Sequence, residues 1–226
     1  MQTLLEPDMS QAEISRYLQS ELKRSIDAEV GTLIRSDDLP WCIFAIPRLV
    51  LSCVDFLGAL YCGEFRIRFG DQKVFTDKTK ALKFLADMFG PFDSNYATYG
   101  ELLWLMYRHG TVHLHQPRES LVNQRREITW ALYKGDREKC GLKLDPIPEL
   151  PQLQTSIDAT HLVPADRGDN YWVQPISVDC LYRDLLSSVD KFDQAIKANT
   201  ELEATFRETA NLIILPQTTT LEWWTT

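Results

Sequence analysis

The chain has 226 residues, 44% of them hydrophobic and 25% charged, which is the composition of a globular protein with its own core. Its formal net charge of −8 argues against a main role in gripping bare phosphate backbone, and its five cysteines, with no CxxC pair, indicate neither a disulfide framework nor a zinc knuckle. Because no apolar run reaches about 18 residues and the N-terminal residues carry acids, we expect a cytoplasmic protein that does not contact a membrane.

The first part of the chain is predicted to form helices. Ser10 and Glu13 have the spacing of a capping box, and apolar residues then recur every four positions, which predicts a helix from Ser10 to near Gly31. Pro47 can open a second helix that is apolar nearly all round and should therefore be buried in the centre of the fold. Asp55 lies within that helix, where its carboxylate needs a hydrogen-bond partner, a cavity or partial exposure to solvent.

Two more helices are predicted before the sequence changes character. Thr76 precedes an amphipathic segment that closes at Gly90. The next helix is predicted to start at Asp93 or Ser94 and to end before Pro117, because proline disfavours the helical conformation of the residue that precedes it.

The second part of the chain is predicted to add a small antiparallel β element and two helices. Residues 122–176 contain alternating apolar and polar segments, two of which flank the turn sequence DRGDN. Ser177 is predicted to cap a long helix, and Thr200 with Glu203 to form a capping box for a shorter one. We therefore predict one mainly α domain, with a helical part (10–116), a β-containing segment (about 122–176), C-terminal helices (177–213) and a tail (214–226).

Three of the four histidines lie within seven residues, His109 to His115, directly after Arg108. Arginine stays cationic and offers a planar fork of donors that suits a phosphate, whereas histidine gains or loses a proton near neutral pH. An imidazole can take the proton of a ribose 2′-hydroxyl or protonate the leaving 5′-oxygen, while a guanidinium stabilises the charge on phosphorus. The segment therefore indicates RNA cleavage that needs no metal or other cofactor.

Helical geometry complicates this interpretation. On an α-helix, residues five apart are about 140° out of line, so Arg108 and His113 do not share a face. Either the long arginine side chain wraps around the helix, or Gly110 loosens the turn. Two copies that meet across a two-fold axis would supply two histidines and two arginines to one phosphate, which predicts a homodimer.

The segment Arg108-His109-Gly110-Thr111-Val112-His113 resembles the R-x4-H motif of HEPN domains, which are helical bundles of bacterial and archaeal toxins and defence proteins. The order of a long first helix, a buried second helix and a motif late in a later helix is similar too, and the resemblance extends to about residue 120. It implies a HEPN-like bundle with Arg108 and His113 as the catalytic pair and His109 as a supporting polar residue. The β element departs from that family and looks like an insertion.

Residues 108–143 carry eight bases and four acids, a local charge of +4, so the remainder of the chain sums to −12. Within this stretch we predict that His115, Arg118, Arg125 and Arg126 contact RNA. A nuclease needs these bases to gather into one groove, and the alternative is an ordinary solvated face.

Other interpretations of the histidines stay open. His109 and His113, at helical i,i+4 spacing, could pair on zinc with His115, but His115 follows too closely to complete the geometry, and no metal site is predicted. The histidines could instead place favourable charge at the helix C-terminus. The resemblance also implies a rival function, a non-catalytic interaction or nucleotide-binding module, for which the tail with Trp223 and Trp224 offers a docking surface for a protein partner.

Overall fold

The computed structural model describes residues 5–36, 43–63, 77–109, 120–122, 126–138 and 140–214, and within them the fold is mainly α, as predicted. Its helices are α1 (11–35), α2 (Ala45–Cys62), α3 (77–89), α4 (95–109), α5 (Val178–Ala198) and α6 (Thr200–Ile214). Its strands are β1 (Ser120–Val122), β2 (Arg126–Tyr133), β3 (Cys140–Lys143), β4 (Ser156–Ala159), β5 (Ala165–Gly168) and β6 (Tyr171–Ser177). Single π-helical turns interrupt α1 at Tyr17–Leu22 and Asp27–Gly31, and end α3 and α4 at Leu85–Phe89 and Trp104–His109.

Helix α1 begins as predicted and ends later than predicted. Ser10 Oγ accepts from the backbone N–H of Glu13, while the Glu13 carboxylate accepts from the backbone N–H of Ser10 at 2.8 Å, which is a complete capping box. The predicted end near Gly31 was wrong, because α1 continues to Arg35. Gly31 keeps a right-handed helical backbone, and the side chains of Asp27, Arg35 and Tyr182 fill the space where its Cβ would lie.

Helix α2 lies in the centre of the core, as its apolar sequence predicts. Val50, Leu57 and Leu60 are completely buried, and the helix packs against α3, α5 and α6. It is the one helix in the described part of the chain that is long and apolar enough to cross a membrane. Half of it is buried inside the fold.

The β element is a mixed sheet, so the prediction of an antiparallel one was wrong. A four-stranded sheet has the order β1-β2-β6-β5, in which β2 and β6 are parallel, and β3 and β4 form a separate antiparallel pair. The long connection between β2 and β6 carries three strands, so β6 returns in the same direction as β2. The predicted turn is confirmed, because Asp169 and Asn170 join β5 and β6 with φ angles of 51° and 63°, as a type I′ turn requires.

Helix α5 packs against α1 and α2, and α6 packs against α2 and α5. Ser177 caps α5 as predicted, with its hydroxyl accepting from the backbone N–H of Cys180. The predicted capping box of α6 was wrong, because Asn199 rather than Thr200 accepts from the first free N–H groups, at 2.9 and 3.1 Å. Asparagine is the stronger cap, and Glu203 is engaged elsewhere, by Gln11 and Arg207. The tail residues Trp223 and Trp224 lie outside the described residues.

Candidate functional site

Arg108 lies in the last turn of α4, where it faces α2. Its Nη2 atom is 3.5 Å from Oδ2 of Asp55, and its guanidinium lies 5.9 Å from the ring centroid of Trp104. The arginine side chain is 26% exposed. The charged partner is Asp55, the carboxylate within an apolar helix that the sequence singles out as needing one.

A second cation meets the same carboxylate. Lys80 of α3 places its Nζ atom 3.6 Å from Oδ1 of Asp55, and its side chain is only 9% exposed. Asp55, Lys80 and Arg108 thus bring together three helices in one group, which we call the Asp55 cluster. Two cations and one anion give it a formal charge of +1.

The contacts within the Asp55 cluster are loose. Both ion pairs are longer than a charge-assisted hydrogen bond, which is typically about 2.7 to 2.9 Å. Oδ1 of Asp55 and Nε of Arg108 are buried and have no hydrogen-bond partner among the described residues. A buried donor without an acceptor costs free energy, so Arg108 retains an unused capacity to bind an oxygen.

The turn that carries Arg108 is not α-helical. Trp104–His109 is π-helical, and in that winding the backbone hydrogen bond joins residues five apart and brings them to one side of the helix. This turn ends at His109, so the geometric relation between Arg108 and His113 lies outside the described residues and stays a prediction. Three other π-helical turns occur in the described part of the chain, so the winding by itself does not mark a site.

Most of the other predicted site residues fall outside the described part of the chain. These are His113, His115, Arg118 and Arg125, together with the side chains of His109 and Arg126. The backbone of His109 ends α4, and that of Arg126 begins β2. The structure thus places Arg108 and its surroundings, and the catalytic pair of Arg108 and His113 stays a prediction.

Several described bases of the 108–143 stretch are held by the protein itself. The ammonium of Lys134 donates to the backbone oxygen of Ile34 at 3.0 Å. Arg137 pairs with Asp93 and Asp184, and Arg108 pairs with Asp55. In the described part of the chain these cations therefore do not form the open basic groove that a nuclease needs.

Arg137, whose side chain is 30% exposed, is the centre of a network of otherwise buried side chains that the sequence did not indicate. Its Nη2 contacts both carboxylate oxygens of Asp184, at 2.6 and 2.8 Å, and its Nη1 lies 3.0 Å from Asp93. The hydroxyl of Tyr96 donates to Asp184 at 2.7 Å. The only sequence signal is the position of Asp184 on the apolar face of α5, next to Leu185. The network borders a cleft of about 630 Å³ lined by Phe92, Asp136, Arg137, Glu138, Arg183 and Asp184.

The fourth histidine, His161, completes this network. Its Nδ1 accepts from the backbone N–H of Ser177 at 3.0 Å, so the ring proton resides on Nε2, which donates to Tyr96 at 3.1 Å. Burial, and then the positive charge of Arg137, lower the pKa of His161 from 6.5 to about 3. His161 is therefore a neutral structural residue, and the network joins the β layer to the helices.

The buried state of His161 predicts that stability falls with acidification. Below its ordinary pKa of about 6.5, His161 binds a proton in the unfolded chain but not in the folded one, so unfolding becomes easier as the pH falls toward 3. We expect a loss of about 1 kcal/mol per pH unit between about pH 6 and 5, measured by denaturant unfolding. In His161→Gln this slope should be much reduced. An equal slope in both proteins would contradict the assignment. Burial raises the pKa of Asp184, which acts in the opposite sense at lower pH.

Metal and thiol chemistry find no support in the described residues. No group of three or more histidine, cysteine, aspartate or glutamate side chains there is arranged to hold a metal ion. Cys53, Cys62 and Cys180 are free thiols, and burial raises the pKa of Cys53 to about 12, so this thiol is not a nucleophile.

Comparison with family models, with curated proteins and with solved structures gives no match for the chain.

Proposed function

We propose that the protein is a metal-independent endoribonuclease of HEPN type. The observation that carries the proposal is the state of Arg108, a partly exposed side chain at the end of α4 whose buried Nε has no acceptor among the described residues. A phosphate oxygen is the acceptor that such a group suits. The R-x4-H resemblance supplies the second half of the proposal, with His113 as acid or base and His109 as its polar support.

The proposed reaction moves one proton at each end of an in-line displacement. A base removes the proton of the ribose 2′-hydroxyl, and the 2′-oxygen bonds to phosphorus while the bond to the 5′-oxygen breaks. An acid protonates the departing 5′-oxygen, which leaves a 2′,3′-cyclic phosphate on the upstream fragment. Arg108 stabilises the additional negative charge on the phosphoryl oxygens.

A homodimer fits this chemistry because it doubles the groups at the site. One His113 would act as the base and the partner's copy as the acid, while two arginines would face one phosphate. In this arrangement His115, Arg118, Arg125 and Arg126 bind the flanking RNA. The setting that we propose is a cytoplasmic toxin or phage-defence system, as the family resemblance implies.

A second candidate is a non-catalytic interaction or nucleotide-binding module. The pairing of Arg108 with Asp55 and the internal engagement of Lys134 and Arg137 favour it, because they reduce the positive charge available to RNA. The formal net charge of −8 favours it as well. Its docking surface for a protein partner would be the acidic C-terminal half or the tail with Trp223 and Trp224.

The deciding experiment is incubation of the purified protein with structured and unstructured RNA in the presence of EDTA. We expect cleavage products that end in a 2′,3′-cyclic phosphate, because no step needs a metal. Intact RNA after a long incubation would overturn the nuclease proposal and leave the interaction module. Cleavage that occurs only without EDTA would point to a metal site and would also overturn it.

A further inference from the structure

The Asp55 cluster has the charge arrangement of an occupied anion site. Its carboxylate lies between the cations of Lys80 and Arg108, which approach different oxygens at 3.6 and 3.5 Å. The three side chains come from three different helices, α3, α2 and α4, so the cations are fixed by the fold and not by a flexible loop. An anion from outside would find both cations already in place.

The carboxylate is held weakly enough to be replaced. Oδ1 of Asp55 is buried without a hydrogen bond to any described residue, and neither ion pair is short. The buried Nε of Arg108 has no acceptor among those residues either. A phosphate diester carries the same single charge as the carboxylate but offers more acceptor oxygens, so it can meet the unused donor of Arg108 as well.

Solvent reaches the cluster on its Asp55 and Arg108 side. The Asp55 side chain is 21% exposed and that of Arg108 is 26% exposed, whereas Lys80 is nearly buried behind them. Movement of the aspartate side chain about χ1 would open this side and expose the lysine. The exchange of one singly charged anion for another leaves the net charge of the cluster unchanged, so it avoids burying an unpaired charge.

We propose that Lys80 and Arg108 form a two-cation phosphate site, in which Asp55 occupies the place of an RNA phosphate until RNA displaces it. The inference rests on the proposed function, because it assumes that Arg108 binds an RNA phosphate. It adds Lys80 to the binding residues and makes Asp55 an internal competitor that lowers RNA affinity.

The test measures binding of a short fluorescein-labelled 2′-O-methyl oligoribonucleotide, in which the blocked 2′-oxygen prevents cleavage. Asp55→Asn should bind it about 5-fold more tightly than wild type, and Lys80→Gln about 5-fold more weakly. Asp87→Asn and Lys78→Gln are the matched controls, because each makes the same charge change as one of the test variants but at a different ion pair. Each control should stay within about 2-fold of wild type.

The variants distinguish failure of the two-cation site from failure of the proposed function. If Arg108→Gln weakens binding while Asp55→Asn does not strengthen it, the competitor role of Asp55 is wrong and the RNA site stands. If Arg108→Gln binds like wild type, the proposed function itself fails. Equal tightening by Asp55→Asn and Asp87→Asn would reveal a general charge effect and would overturn the two-cation site. Should Asp55→Asn not fold, as judged by its thermal unfolding, an unchanged affinity of Lys80→Gln would overturn it alone.

Discussion

Replacing Asp184 by alanine is expected to destabilise the fold by about 2 to 4 kcal/mol. The Asp184 side chain is only 6% exposed, and its carboxylate holds Arg137 by two short contacts. Its removal leaves the guanidinium of Arg137 with only Asp93 as an ionised partner and deprives the buried hydroxyl of Tyr96 of its acceptor. The weakened pairing of a part-buried guanidinium and the loss of an acceptor for a buried hydroxyl together account for a loss of this size.

Denaturant unfolding of Asp184→Ala and wild type measures the difference. Asp190→Ala is the matched control, because Asp190 lies on the same helix and pairs with Lys23 but is 44% exposed. That substitution should change the free energy of unfolding by no more than about 1 kcal/mol. If the two variants lose the same amount, the network around Arg137 does not hold the β layer on the helices in the way that its geometry indicates.

Local signals predicted much of the fold because the groups concerned lie close together in the chain. The capping box of Ser10, the cap at Ser177 and the turn at Asp169 and Asn170 each depend on residues within three positions of one another. The errors came where a distant group decided the outcome. Gly31 looked like a helix end, but its backbone stays right-handed helical and the helix continues to Arg35, with Tyr182 of another helix among the side chains that fill the space beside it.

The parallel pairing of β2 with β6 could not be predicted from local sequence, because it depends on residues far apart in the chain. Alternation identifies a strand but not its neighbour, and these strands are adjacent in space although three strands separate them in the chain. The sheet was therefore predicted to be antiparallel, although it contains a parallel pair. Most of its strands lie within the predicted segment.

The sequence indicated two residues of the Asp55 cluster separately but not the contact between them. Asp55 could be identified because a carboxylate within an apolar helix needs a partner. Arg108 could be identified because three histidines follow it closely in the sequence. That the two would meet, and that Lys80 would join them, follows from the packing of three helices and leaves no pattern in the sequence. The sequence assigned Arg137 to a basic stretch that could contact RNA, but its guanidinium forms ion pairs with Asp93 and Asp184 inside the protein.

Two substitutions should reduce RNA cleavage far more than any other. We expect His113→Ala to lower kcat by about 10²- to 10⁴-fold, because it removes the imidazole that is proposed to transfer the proton. Arg108→Gln should lower kcat/KM by about 10²- to 10³-fold, because it removes charge stabilisation that the transition state needs most. Arg108→Lys should recover only part of the loss, since an ammonium keeps the charge but not the planar fork of donors.

Controls distinguish these losses from damage to the fold or to RNA binding. Arg183→Gln removes an exposed arginine that pairs with Asp136 away from the Asp55 cluster, and its cleavage rate should stay within about 2-fold of wild type. His115→Ala should weaken binding of RNA and leave kcat nearly unchanged, because His115 is proposed to contact RNA and not to transfer a proton. If His113→Ala cleaves as fast as Arg183→Gln while both remain folded, the imidazole of His113 takes no part in the reaction. The R-x4-H resemblance would then describe a sequence pattern without its chemistry, and the loose pairing of Arg108 with Asp55 would belong to the structure of the helical core.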